Sequence, residues 1–398
     1  MISVEEARGI ILEHMVLTEP DPAPLREALQ AFAAADVEAP HDHPLFDVSA
    51  VDGYAFAFDD QRTTWRLVGS VAAGEVFTAN INPGECVRIF TGAAVPSQLD
   101  TVVMQEFVSS ANGYITHSDA RLKRGSNVRL RAEQVKAGEV ILQKGDRITP
   151  VAIGLLASVG VRSVPIRFAP EVAVLVTGNE FNTAERLLPG RIFSSNDVML
   201  EAALHSSGCL AEVEHVEDDL GRLTDAIRQA AQVNEVIITT GGASVGDHDL
   251  VHEAVLRAGG TIHFHGVAQK PGKPMLFATV QGRSFFGLPG NPRAVMILFW
   301  EYVLPCLRAM QGAHEPWLRC SELPVDGAIT VKGDRAEFRA ARVVNGRVKL
   351  LSDEGSHMLR SLVLANALVY LPVHQRTWKA GDLVEIHHLD HEAATFHP

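Results

Sequence analysis

From residue 171 to residue 310, short apolar runs alternate with amphipathic stretches. Val172 to Val176, Ala211 to His215, Val236 to Thr239, Thr261 to Val267 and Ser284 to Phe286 predict strands. Asn196 to Ser207, Leu220 to Gln232, Asp249 to Ala258 and Ala294 to Met310 carry the spacing of helices. Strand and helix in strict alternation predict a doubly wound α/β domain around an open parallel sheet. Ser194, Ser195 and Asn196 offer N-caps to the helix they precede.

The flanking regions follow other periods. Residues 1 to 35 read as two helices, Val4 to Met15 and Pro24 to Ala35, the second opened by proline. Leu45 to Phe58 is irregular, then extended. Trp65 to Val71, Glu85 to Phe90, Thr101 to Val108 and Gly113 to Thr116 are short β-prone runs between turns, which predicts a small β domain. A helix, Pro150 to Val159, and a strand, Arg162 to Ile166, precede a boundary at Ala169-Pro170. Beyond Pro316 short strands return at Arg339 to Val343, Arg347 to Leu351, Ala367 to Leu371 and Leu383 to His387, suggesting a C-terminal β domain.

Three loops of the alternating region carry the candidate chemistry. The strand ending at Thr239 opens into Thr240-Gly241-Gly242-Ala243-Ser244-Val245-Gly246. Glycines there can take positive φ, so that successive N–H groups converge on an anion, and Asp249 begins the following helix. Next comes Gln269-Lys270-Pro271-Gly272-Lys273-Pro274, two cations on a stiff Pro-Gly turn, and then Gly287-Leu288-Pro289-Gly290-Asn291-Pro292. Each loop alone reads equally well as turn chemistry. Together they fall at the carboxyl ends of strands, the edge where open α/β sheets bind ligands.

Length and composition narrow the classes. A chain of 398 residues supports about two to four domains. A formal charge of −13 disfavours general nucleic-acid binding while leaving room for a local cationic site. No apolar run is long enough for a membrane span, and no basic-then-apolar leader opens the chain, so a cytoplasmic, soluble protein is expected. Cys86, Cys209, Cys306 and Cys320 are scattered and read as buried free thiols. His263 and His265 would share one strand face, but spacing sets no third metal ligand. His387, His388, His391 and His397 crowd a tail expected to be solvated.

The motifs Phe46-Asp47-Val48-Ser49-Ala50-Val51-Asp52-Gly53-Tyr54-Ala55, Arg88-Ile89-Phe90-Thr91-Gly92-Ala93, Val103-Met104-Gln105-Glu106 and Thr177-Gly178-Asn179-Glu180 occur in that order. They are followed by the three loops, by Gly355-Ser356-His357-Met358-Leu359 and by Ala365-Asn366-Ala367. Read together, these residues resemble the molybdopterin molybdenumtransferases, bacterial MoeA and the E domain of gephyrin, over nearly the whole chain. The resemblance implies an elongated linking domain (1–45 and 134–169), an inserted β domain (46–133), a doubly wound α/β domain like the molybdopterin adenylyltransferases (170–314) and a C-terminal β-barrel (315–398). It implies a homodimer whose active site draws on both subunits, with molybdopterin adenylyltransferase and molybdoenzymes as transient partners.

The implied reaction is insertion of molybdate into adenylylated molybdopterin with release of AMP, assisted by Mg²⁺. Lys270, Lys273, Arg335 and Ser356 match the family's molybdate-handling positions, and Thr177, Gly241, Gly242, Ser244, Gly246, Pro289, Gly290 and Asn291 match its substrate-binding loops. Glu180 and Asp249 are the implied metal ligands. Asp52 and Thr91, with Arg129 and Glu133, would act across the dimer, although Asp52 and Arg129 also suit a turn or an interface ion pair. The chain departs from the family at Val48, Ala132, Gln134, Asn179, Glu235 and Ala294. Asn179 and Gln134 offer neutral carbonyls where carboxylates are usual, and Ala294 lacks a hydroxyl. A divergent, gephyrin-like scaffold and a molybdopterin adenylyltransferase are the alternatives.

Overall fold

The computed structural model describes residues 1–181, 188–242, 250–352, 355 and 358–389. The central sheet has the order Ala211–Val216, Val172–Thr177, Val236–Thr240, Arg283–Leu288, Leu276–Val280, Thr261–His265. Its first four strands are parallel. Burial alternates along Val172–Thr177 with the strand period: Val172, Val174 and Val176 pack with Leu200, Leu204, Val295 and Ile297 on one face. Ala173 and Leu175 pack with Leu223, Ile227, Val251 and Val255 on the other. Helices thus cover both faces, as the alternation predicts.

The sheet departs from the expected all-parallel arrangement. Leu276–Val280, a strand the alternation does not predict, runs antiparallel to Arg283–Leu288, and Thr261–His265 runs antiparallel to it. The cause is local: Gln281 and Gly282, both at positive φ (51° and 78°), close a two-residue hairpin. Two reversals in succession leave Thr261–His265 pointing the same way as the parallel strands. The loop that follows it therefore reaches the same edge as the other two candidate loops.

The helix expected over Ala294 to Met310 begins at Pro292 and is interrupted. Pro292–Leu298 and Leu304–Met310 flank a π-helical turn, Phe299–Val303, where the Leu304 N–H reaches the Phe299 carbonyl. Pro305 supplies no N–H for the usual ladder, and the wider turn absorbs that loss. The helix Val4–His14 is closed by a capping box, the Ser3 N–H donating to Glu6 Oε2 at 2.7 Å and the Glu6 N–H to Ser3 Oγ at 3.1 Å.

The second helix expected over Pro24 to Ala35 does not form. Pro20–Pro24 is instead a strand paired antiparallel with Ser163–Arg167, and turns follow it. Prolines at 20, 22 and 24 remove helix donors, and Ala23, Ala28 and Ala33 are buried against Leu142, Leu156 and Ile166. Tertiary pairing overrides a helix-prone composition here. Residues 53–117 hold a six-stranded sheet in the order Thr101–Met104, Gly53–Phe56, Glu85–Ile89, Trp65–Val71, Tyr114–His117, Val108–Ala111. The strand expected over Thr101 to Val108 is split by the 3₁₀ turn Gln105–Phe107.

The C-terminal region forms another six-stranded sheet. Cys320–Pro324, Leu383–His388, Ala367–Leu371 and Ala336–Val344 follow in order, with Arg347–Leu350 beside the last, and a bridge Val325↔Val348 draws two of its edges together. Its remaining member is Gln269–Lys270, lent by the α/β region and paired parallel with Ala336-Glu337. Phe338, Ala340, Leu368 and Tyr370 share one core with Val4, Ile11, Leu298 and Phe299. No described helix is long and apolar enough to cross a membrane.

That shared core encloses charge. His387 and Glu301 are each 1% exposed, so His387 does not lie in a solvated tail. Its Nδ1 stands 2.8 Å from Glu301 Oε1 and its Nε2 3.0 Å from Glu385, while Arg8 reaches Glu301 at 2.5 Å. Cys320 is exposed, contrary to expectation; Cys86, Cys209 and Cys306 are buried, and burial pushes each of those thiols up to about 12. Burial opposes the charge on His387, but the Glu301 carboxylate and the surrounding hydrogen bonds outweigh it and raise the imidazole from 6.5 to about 11.

Because the folded value lies above the unfolded one, the stabilisation is complete below about pH 6.5 and is lost as pH rises toward about 11. Denaturant unfolding of the intact protein should therefore show stability falling across that window, and His387→Gln should flatten the slope. At pH 6, His387→Ala should cost about 3–5 kcal/mol by leaving Glu301 underpaired.

Candidate functional site

Thr177, Thr240 and Leu288 end three neighbouring parallel strands, and the turns beyond them are fastened to one another. Gly241 and Gly242 adopt φ of 94° and 63°, and a Cβ on Gly241 would lie 2.4 Å from the Thr177 carbonyl oxygen. Only glycine allows that approach. The Gly241 N–H donates to the Leu288 carbonyl at 3.3 Å. Asn196, read from sequence as a cap, is instead a strut: its Nδ2 donates to Thr240 Oγ1 at 2.7 Å and to the Gly290 carbonyl at 2.9 Å. Ser195 occupies the N-cap without a side-chain bond.

Beside these turns lies a cavity of about 370 Å³ whose walls include Lys270, Lys273, Pro289, Asn291, Arg293, Ala294, Arg335, Glu337 and Arg339. The structure thus brings together Lys270, Lys273, Pro289, Asn291 and Arg335 from the sequence-derived set. Lys270 and Lys273 are presented by the turn after Gln269–Lys270. Gly272 takes φ of 94° there, and a Cβ on it would stand 2.8 Å from Leu298. The buried Gln269 stiffens this turn, its Nε2 donating to the Pro271 carbonyl at 2.8 Å and its Oε1 accepting from the Tyr302 hydroxyl. Arg335 donates to the Gln269 carbonyl at 3.2 Å.

Sequence reasoning missed Arg293, Glu337 and Arg339. The signal was available for two of them: Arg335, Glu337 and Arg339 alternate along an extended stretch and so share one face. Arg293 is 2% exposed and donates to Ser361 Oγ. A cavity walled by so many cations and one buried carboxylate suits a small multivalent anion.

Thr177 is buried, and its Oγ1 donates to the Thr240 carbonyl at 3.5 Å. Beyond it, Gly178, Asn179, Phe181, Arg191, His215 and Glu217 line a second cavity of about 430 Å³. The Glu180 carboxylate folds over Gly178, its Oε2 lying 2.6 Å from where a Cβ on that glycine would be. Asn179 Oδ1 accepts from the Asp218 N–H at 3.4 Å. Glu180 offers the hard oxygen a divalent cation prefers. Asp249, its expected partner ligand, lies outside the described residues, as do Ser244, Gly246 and Ser356. Among the described residues, the one cluster of His, Cys and carboxylate atoms within 4.8 Å of one another is Cys320, Glu385 and His387. There the imidazole is already held by two carboxylates.

Asp52, Thr91, Arg129 and Glu133 stand apart: none lines the cation cavity. Asp52 Oδ1 accepts from the Thr91 N–H at 2.8 Å and from its hydroxyl at 2.7 Å. These bonds, with the Arg88 charge, hold the Asp52 carboxyl below its ordinary range. Arg88 packs between the rings of Tyr54 and Phe90, 4.9 and 5.0 Å from their centres. Arg129 is exposed on a short strand paired with Val48–Ser49, and Glu133 accepts from the Leu130 N–H at 2.9 Å.

Three family models match the chain in succession: the MoeA N-terminal region (domain I and II) over residues 2–160, a probable molybdopterin binding domain over 173–309, and the MoeA C-terminal region (domain IV) over 322–389. A molybdopterin molybdenumtransferase of Haemophilus influenzae is 32% identical, across 98% of this chain and 99% of that one. One of Bacillus subtilis is 30% identical, across 97% and 93%. The solved structure of a molybdopterin biosynthesis MoeA protein from Pyrococcus horikoshii superposes with a TM-score of 0.83 at 26% identity, covering 98% of this chain and 100% of the other.

Removing one of the two Thr91 donors should move Asp52 in a known direction. In Thr91→Val the backbone N–H remains, so the Asp52 carboxyl should titrate higher than in the wild type yet stay below an ordinary aspartate, as followed by carboxyl-carbon NMR.

Proposed function

The chain belongs to the molybdopterin molybdenumtransferase family and acts in molybdenum cofactor biosynthesis, and from that premise we propose that its cation cavity holds molybdate for insertion into adenylylated molybdopterin, with release of AMP. The observation that supports this most directly is the set Lys270, Lys273, Arg335 and Arg339 around one cavity beside the glycine turn. Molybdate is a tetrahedral dianion, and fixed cations replace its hydration without reorganising as the reaction proceeds. Holding it next to the pterin turns an encounter in solution into a positioned reaction. Ser356 would add a hydroxyl donor, and Ala294 lines the cavity without one.

Backbone N–H groups of Gly242, Ser244 and Gly246 would bind phosphate of the adenylylated substrate, the Gly241 N–H being held by the Leu288 carbonyl, with Pro289, Gly290 and Asn291 as the facing wall and Thr177 beneath. Glu180 and Asp249 would hold Mg²⁺, which would neutralise the phosphoanhydride as it is cleaved. Asn179 would contribute a neutral carbonyl at most. In a cytoplasmic homodimer, Asp52, Thr91, Arg129 and Glu133 of one subunit would complete the cavity of the other. This suits their distance from any role in their own subunit's cation cavity and the hydrogen-bonded, ionised state of Asp52. The chain would then divide at about residues 46, 134, 170 and 315 into linking, inserted β, α/β and C-terminal units.

Relatives matched over more than nine-tenths of their length bear the molybdenumtransferase name, which favours neither the scaffold nor the adenylyltransferase reading. AMP release from adenylylated molybdopterin should depend on molybdate and on Mg²⁺. Lys273→Ala should lower kcat/KM for molybdate by about a hundredfold, with the oligomer unchanged by light scattering. Asp249→Ala should slow AMP release and raise the Mg²⁺ needed. Molybdate-independent release in the wild type would overturn the proposal.

A further inference from the structure

Glu337 is 3% exposed, yet it sits in the wall of a cavity built to attract anions. A buried carboxylate is costly unless it is paired. Each Glu337 oxygen serves a different cation: Oε1 lies 3.5 Å from Lys270 Nζ, and Oε2 accepts from Arg339 Nε at 2.7 Å and Nη2 at 2.5 Å. The backbone enforces the arrangement. Lys270 and Glu337 are direct partners in a parallel pairing, and Arg339 follows two residues on, with its side chain toward the same face.

Resting on the reading of this cavity as the molybdate site, we propose that Glu337 is a positioning residue that sets the spacing of Lys270 and Arg339 and tempers the cavity's affinity for tetrahedral dianions. Without its charge the two cations repel each other, and Lys270, whose side chain is half exposed, shifts away from Arg339 within the cavity. The cavity also gains net positive charge. A dianion is then held more tightly and in the wrong place, so that affinity and turnover move in opposite directions.

The test uses the full chain and two independent readouts. Calorimetric titration with sulfate, a tetrahedral dianion that does not react, reads affinity without turnover, and molybdate-dependent AMP release reads kcat and KM. E337Q is expected to bind sulfate several-fold more tightly while kcat falls about ten- to hundredfold, and E337D is expected to recover part of kcat. Wild-type sulfate affinity together with wild-type kcat in E337Q overturns the inference, as does a fall in activity that only tracks the loss of folded protein by thermal melting. Should the lone amide prevent E337Q from folding, E337Q/R339M removes both charges of the pair; the inference requires lowered kcat there too, and an unchanged kcat overturns it. If the wild type releases no AMP in response to molybdate, the reading of the cavity fails, while the sulfate arm still decides whether Glu337 tempers anion affinity.

Discussion

Two residues of backbone pairing hold the site together. Gln269 and Lys270 leave the α/β sheet and become an edge strand of the C-terminal sheet, opposite Ala336 and Glu337. The Ala336 N–H donates to the Ala268 carbonyl at 3.0 Å, and Arg335 closes over the Gln269 carbonyl. Cations that arise far apart in the chain are thereby fixed by main-chain geometry rather than by long, free side chains. Beneath this splice, Gln269 is 0% exposed and bonded to Tyr302, so the pairing is anchored in the shared core.

That core explains why a cavity between two folded units keeps one shape. Phe338 and Tyr370 pack with Leu298 and Phe299 in one apolar cluster, and the Arg8–Glu301–His387 set lies within it. Burying ions is a poor source of net stability but a strong penalty on misdocking, because any shift that separates them leaves a charge uncompensated. The same logic recurs in the cavity wall at Glu337. The region holding Asp52 has its own cores and contributes nothing to this cavity, as expected if its chemistry is offered elsewhere.

Much of this was legible in the chain. The period-two burial of Val172 to Val176, the glycines at 241 and 242 and the paired lysines at 270 and 273 each follow from local rules, and the structure places them at one sheet edge. What was not legible depended on distant partners. Pro20–Pro24 became a strand because Ser163–Arg167 was there to pair with it. Leu276–Val280 hid in an apolar run whose direction only the Gln281-Gly282 turn reveals. Glu337 and Arg339 share a face by alternation alone, but nothing local sets Lys270 opposite Glu337. His387 looked like part of a tail because its partner carboxylate lies on a helix from another unit.

The π-turn at Phe299–Val303 carries a consequence for how the chain can change length. It holds one residue more than an α-helical turn, and Glu301 sits inside it. Deleting a single residue there would restore regular winding and leave the helix beyond close to its present phase, but the residues of the turn itself would shift, moving Glu301 off His387 and Tyr302 off Gln269. The helix's length is therefore tied to the identity of residues in two other parts of the molecule. A lineage that shed the extra residue would have to replace the buried ions and the glutamine in the same step, which makes this short segment resistant to insertion and deletion even though it touches no substrate.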